Sequence, residues 1–208
     1  MLGCSIDWNA TGTMLSGIGT IFGAFAVAFA AFKGADTFQK WKQQKAAERR
    51  MSVAEDILTW AYQFEQVLPS IRSPATFGYE SDQSEEKLKL DIPGFEQRDN
   101  RHLLQQSQVI LTRVSAHQEK WDRLFELMPL AKAYFGQATF DDLQELWRVI
   151  ASVRSAALTY QGGPEHLRKM EGRFWEGAAE PDELKDQADV AVKRLTDRLL
   201  PEIGANKI

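Results

Sequence analysis

The chain is short of the residues that most often carry chemistry. It has one cysteine, Cys4, so no internal disulfide framework and no cysteine-based metal site can form. Its three histidines, His102, His117 and His166, are scattered, and no His-Glu-x-x-His pair occurs. There is no Gly-x-Ser-x-Gly nucleophile turn. Gly162-Gly163-Pro164 lacks the lysine of a phosphate loop and reads as a turn. Glu85-Glu86 and Asp141-Asp142 read as solvation and helix-dipole compensation. No repeat of 20–50 residues is visible. These absences predict neither enzyme, cofactor nor metal centre. No positive side chain precedes the apolar run near the N-terminus, where a secretory leader would carry one, so no cleaved leader is expected.

What is present is sharply divided. Residues 1–50 hold six Lys/Arg and three Asp/Glu, whereas residues 51–208 hold nineteen and twenty-six. An acidic bulk argues against a general nucleic-acid coat. Mean hydropathy is −0.36, an average that hides one long apolar stretch.

Residues 8–32 contain no charge, and 14–32 are mostly Ile, Phe, Val, Ala and Gly. Nineteen helical residues rise about 28 Å, close to the hydrocarbon thickness of a bilayer. Lys33, Lys40, Lys42, Lys45, Arg49 and Arg50 follow, against only Asp36 and Glu48. The positive-inside rule then puts the N-terminus outside and the C-terminus in the cytoplasm. Trp8 and Trp41 stand near the two ends, where interfacial anchors belong.

The span has two faces. Ile18, Phe22, Phe25, Phe29 and Phe32 form a bulky stripe. Thr13, Gly17, Thr20, Ala24, Val27 and Ala31 form a small, slightly polar stripe nearly opposite, and Gly19 and Gly23 add a G-x-x-x-G pair. Small residues let helices approach closely in lipid, which predicts self-association through this face.

The expected fold class is all-α: a single N-terminal transmembrane helix continuing into a long stalk helix, with a helical-bundle cytoplasmic domain. The segments are an outer tail (1–10), the span (11–34), a stalk with a basic collar (35–69), an irregular loop (70–98) and a helical domain packed on the stalk (99–208). An unbroken helix over 11–68 would be about 85 Å long. Its lower seam of Ala47, Met51, Ala54, Leu58, Ala61 and Leu68 is expected to join the small face in oligomer contacts. Pro69 and Ser73-Pro74 are expected to end that helix, and at most a short strand to form at 88–92.

One helix is then expected over 99–128, with His117 on its apolar stripe as a hydrogen-bonded core residue. Thr139 is expected to cap the next, whose core stripe is Leu143, Leu146, Ile150, Val153, Ala157 and Tyr160. Leu167, Met170 and Phe174 mark a short segment, and Glu180-Pro181 opens a last helix carrying Leu184, Ala188, Ala191, Leu195 and Leu199. Trp60, Trp121, Trp147 and Trp175 read as core or interface anchors.

Lys42, Lys45 and Arg49 share a helix face and have two readings: attraction to anionic lipid headgroups, or a polyanion site if rotational symmetry repeats them around an axis. The span at 17–32 with its collar at 33–50 resembles, in architecture, membrane effectors of bacterial anti-phage systems, within them the channel subunit of Hailong defence. The resemblance implies a homo-oligomeric channel, a tetramer, in the bacterial inner membrane. It further implies a partner nucleotidyltransferase whose short single-stranded DNA product holds the channel closed. A membrane-anchored scaffold or adaptor without a pore is the alternative.

Overall fold

A single helix, α1 (Trp8–Arg72), opens the fold in the computed structural model. Residues 8–160, 173, 175–177 and 181–204 are described, without the side chains of 8–11, 31, 34–36 and 160. Cys4, Gly162-Gly163-Pro164, His166, Leu167, Met170 and Phe174 therefore lie outside the described residues. All regular elements among the described residues are helical: α1, α2 (Gly78–Asp91), α3 (Arg101–Ala116), α4 (Gln118–Phe135), α5 (Gln137–Tyr160) and α6 (Glu183–Leu199), with 3₁₀ turns at Phe95–Gln97 and Leu200–Ile203. The chain divides into two compact units, Met1–Arg49 and Arg50–Ile208.

In the first unit, residues Gly12–Ala30 of α1 are long and apolar enough to cross a membrane, with mean hydropathy 1.7 and none of the stretch buried. In the second, residues 53–71 of α1 supply Val53, Ile57, Trp60, Phe64, Leu68 and Ile71 to the core. Ile110 and Val114 of α3, Trp121, Leu124 and Leu127 of α4, Leu143, Leu146 and Ile150 of α5, and Leu184, Leu195 and Leu199 of α6 join them. Helix α5 packs against α3, α4 and α6 and so lies at the middle of the unit. Each large apolar side chain enclosed here contributes about 1.5–3 kcal/mol.

This packing corrects the expected stalk seam. Ala54, Leu58, Ala61 and Leu68 are buried within their own chain and are not free to join chains together. Ala47 and Met51 remain exposed.

The expected loop at 70–98 and its strand are also corrected. Helix α2 occupies 78–91, started by the Phe77 N–H donating to the Glu80 carboxylate at 3.0 Å. It buries only Ser84 and Leu88, so it carries almost no hydrophobic period. Leu88, Phe95 and Leu104 make a small separate core.

Helix α1 passes through Pro69 and stops at Arg72, before Ser73-Pro74. Pro129 likewise lies inside α4. The expected helix over 99–128 is two helices that meet at His117. There the Trp121 indole donates to the Val114 carbonyl at 2.9 Å, and the Trp60 indole donates to the Lys120 carbonyl at 2.9 Å. Two indoles thus bind backbone carbonyls on the two sides of the break. His117 is not enclosed in the core; it is half-buried and meets Trp121 edge-on at 6.5 Å. Burial, and after it the Lys120 charge, lowers the His117 pKa.

Thr139 is not a cap. Helix α5 starts earlier, at Gln137, after Gly136 at φ +87°, and Thr139 is buried in its first turn.

Candidate functional site

The candidate face runs along α1 within the first unit. At about 100° per residue, Met14, Leu15, Ile18, Ile21, Phe22, Phe25, Phe29 and Phe32 fall inside an arc of about 120°. Gly, Ala, Ser, Thr and Val27 fill the rest of the circumference between residues 13 and 32. No bulky side chain strays onto the small face. Both faces are open in the single chain: Phe22 and Val27 are each 71 % exposed. A Cβ added at Gly17, Gly19 or Gly23 would meet nothing within 4 Å.

Thr20 donates its hydroxyl to the Ser16 carbonyl at 2.9 Å, which holds the side chain against its own helix. Thr13 and Ala24 are exposed on the same face, while the side chain of Ala31 lies outside the described residues.

The same face continues into the collar. Thr13 and Arg49 lie about ten full turns apart at 3.6 residues per turn, so they share one direction on a straight helix. Lys42 and Lys45 fall within about 40° of that direction, as do Thr20 and Ala24. On a straight helix of that pitch the small stripe and the basic stripe therefore fall on one face.

The charges on it are unequal. Lys45 is tied to Glu48 at 2.7 Å, and hydrogen bonds from Lys45 and then Gln44 lower the Glu48 pKa. Lys42 and Arg49 are exposed and form no ion pair among the described residues. Next to them Phe38 and Trp41 contact each other at 5.9 Å, both more than half exposed, and Lys33 sits 5.8 Å from the Phe29 ring centre. Exposed rings interleaved with ammonium groups match the chemistry of a bilayer interface.

In the second unit several charged groups tie elements together. Asp142, 5 % exposed, accepts from Arg194 and Arg198 of α6, each at 2.6 Å. It thus joins α5 to α6, a role beyond the helix-dipole compensation read from the sequence. Arg113 donates to both Glu80 oxygens and to the Ser73 and Ala75 carbonyls. Among the described residues no three His, Cys, Asp or Glu side chains gather in a way that could hold a metal ion.

Compared with protein-family models, curated proteins and solved structures, the chain matches none.

Proposed function

We propose that this protein is a single-pass membrane effector of bacterial antiviral defence whose spans associate through their small faces into a homo-oligomeric ion channel, gated from the cytoplasm. The observation that carries this reading is the shared register of Thr13, Thr20 and Ala24 with Lys42, Lys45 and Arg49. If small faces turn inward, the bases of every chain converge below the pore. The phenylalanine face then meets lipid, and the collar sits at the cytoplasmic headgroups.

A ring of cations repels itself and passing cations, so a polyanion bound there gains charge-assisted contacts with every chain. A short single-stranded DNA is the ligand proposed to hold the channel closed, with a nucleotidyltransferase partner as its source. Binding should then need a minimum strand length and weaken steeply with salt. Attraction to lipid headgroups would instead add charge by charge and ignore strand length.

The test is titration of the solubilised protein with DNA strands of graded length at two salt concentrations. Binding that is lost when Lys42, Lys45 and Arg49 all become Gln supports the site. Undiminished binding by that triple variant contradicts it.

One observation favours the competing reading of a tethered adaptor. No ionisable side chain lies between residues 12 and 32, and such groups often mark ion pathways in membranes. An adaptor would anchor without conducting.

A further inference from the structure

A second place in the molecule has the makings of a ligand site, and it is independent of the pore. Between the α3–α4 junction and α5 lies a cavity of about 310 Å³, within the range of small-molecule sites. Its floor is apolar: Val114, Trp121 and Ile150 are all buried. The Trp121 N–H is already spent on the Val114 carbonyl, so its ring offers only carbon surface. Trp147 forms one wall, held by Phe125 edge-on at 4.8 Å between ring centres.

At the mouth stands Arg154. A neighbouring hollow of about 370 Å³, lined by Arg148 and Arg173, shares Ala151 and Ser155 with this cavity.

The arginines differ in their partners. Arg72, Arg113, Arg123, Arg148, Arg194 and Arg198 each meet a carboxylate. Arg154 and Arg173 are exposed and meet none among the described residues. Residues 51–208 carry a clear acidic excess, so carboxylates are plentiful. Arg98 and Arg101 likewise pair with none among the described residues, so what sets Arg154 and Arg173 apart is their place beside an aromatic-walled cavity, where they define a complementary charge.

The geometry points to a binding site for a planar aromatic anion, its ring against Trp147 over the Trp121 floor and its phosphate or carboxylate at Arg154. The ring gains apolar burial and edge or face contact with the indole. The anion gains a charge-assisted bond that a neutral analogue lacks.

The probe is 1-naphthyl phosphate, titrated calorimetrically into the full chain in uncharged maltoside micelles. Uncharged 1-naphthol and ring-free inorganic phosphate serve as the two controls. Saturable binding of the naphthyl phosphate, with both controls at least about tenfold weaker, is the expected result, since naphthol loses the charge-assisted bond and phosphate loses the burial of the ring, each worth roughly that factor or more. Arg154→Gln should weaken binding about tenfold by the same arithmetic. Ala151→Phe should block the cavity. Arg154 is exposed, so its variant decides the matter even if Ala151→Phe fails to fold, as read by helical circular dichroism. No saturable binding, equal binding of either control, or an affinity untouched by Arg154→Gln would overturn the assignment. None of these outcomes depends on whether the spans conduct.

Discussion

Arg72 and Asp182 form an ion pair at 3.0 Å that joins the last residue of α1 to the N-cap of α6. Arg72 is 1 % exposed and also donates to the Trp175 carbonyl at 3.1 Å, while its own carbonyl accepts from the Glu176 N–H at 2.9 Å. Asp182 in turn accepts from the Lys185 N–H at 3.2 Å. Removing one partner strands the other in a low-dielectric site. Arg72→Met is expected to cost about 3–5 kcal/mol, measured by denaturant unfolding of the solubilised protein. A loss below about 1 kcal/mol, the size seen for exposed pairs, would show the contact to be incidental.

Acid should weaken the helical unit. Burial pushes the Asp182 carboxyl up, but hydrogen bonds from Arg72 and the Lys185 backbone outweigh it and hold the pKa below its ordinary value. The Arg113 hydrogen bond lowers Glu80 in the same way, against a smaller opposing burial effect. A depressed carboxylate pKa gives stability that is present above the unfolded value, about 4, and is lost as pH falls through the folded value. Glu65 acts in the opposite sense, raised by burial and then by Asp189. Melting temperature is therefore expected to fall below about pH 4, and the fall should be shallower in Asp182→Asn and Glu80→Gln. An unchanged pH profile in both variants would remove these pairs from the explanation.

How much of this was legible in sequence follows from where each signal resides. The buried stripes of α5 and α6 stood out because Leu143, Leu146 and Ile150, and Leu184, Leu195 and Leu199, repeat at helical spacing and all face one core. Helix α2 did not, because Ser84 and Leu88 alone turn inward and its start rests on Glu80 reaching back to Phe77. The break at His117 did not either, because no Pro or Gly between residues 99 and 128 marks it. The seam on α1 was visible as apolar, but sequence could not say whether its own chain or a neighbour would cover it. The same limit hid the cavity, since Trp121, Trp147 and Arg154 meet only when α4 and α5 pack.

Assembly should depend on the small face. Gly19→Leu or Gly23→Leu is expected to dissociate the oligomer, because backbones could no longer approach closely. Phe25→Ala and Phe29→Ala should leave it intact. Light scattering of purified protein reads the mass directly; dissociation by the Phe variants alone would mean that the bulky face is the interface.

Orientation is open to direct labelling. Cys4 is the only thiol, and the expected topology puts it outside. A membrane-impermeant maleimide should then label intact cells. Labelling that appears only after lysis would reverse the topology.

Ion flux separates a channel from a tether. Membrane potential should be followed with a voltage-sensitive dye in cells expressing either the intact chain or a chain lacking residues 1–34, with strand-free conditions favouring the open state. Depolarisation by the intact chain alone is the expected result, abolished by Gly19→Leu and Gly23→Leu. A steady potential with the intact chain, at matched membrane abundance and with no DNA ligand supplied, would contradict the channel and leave the adaptor.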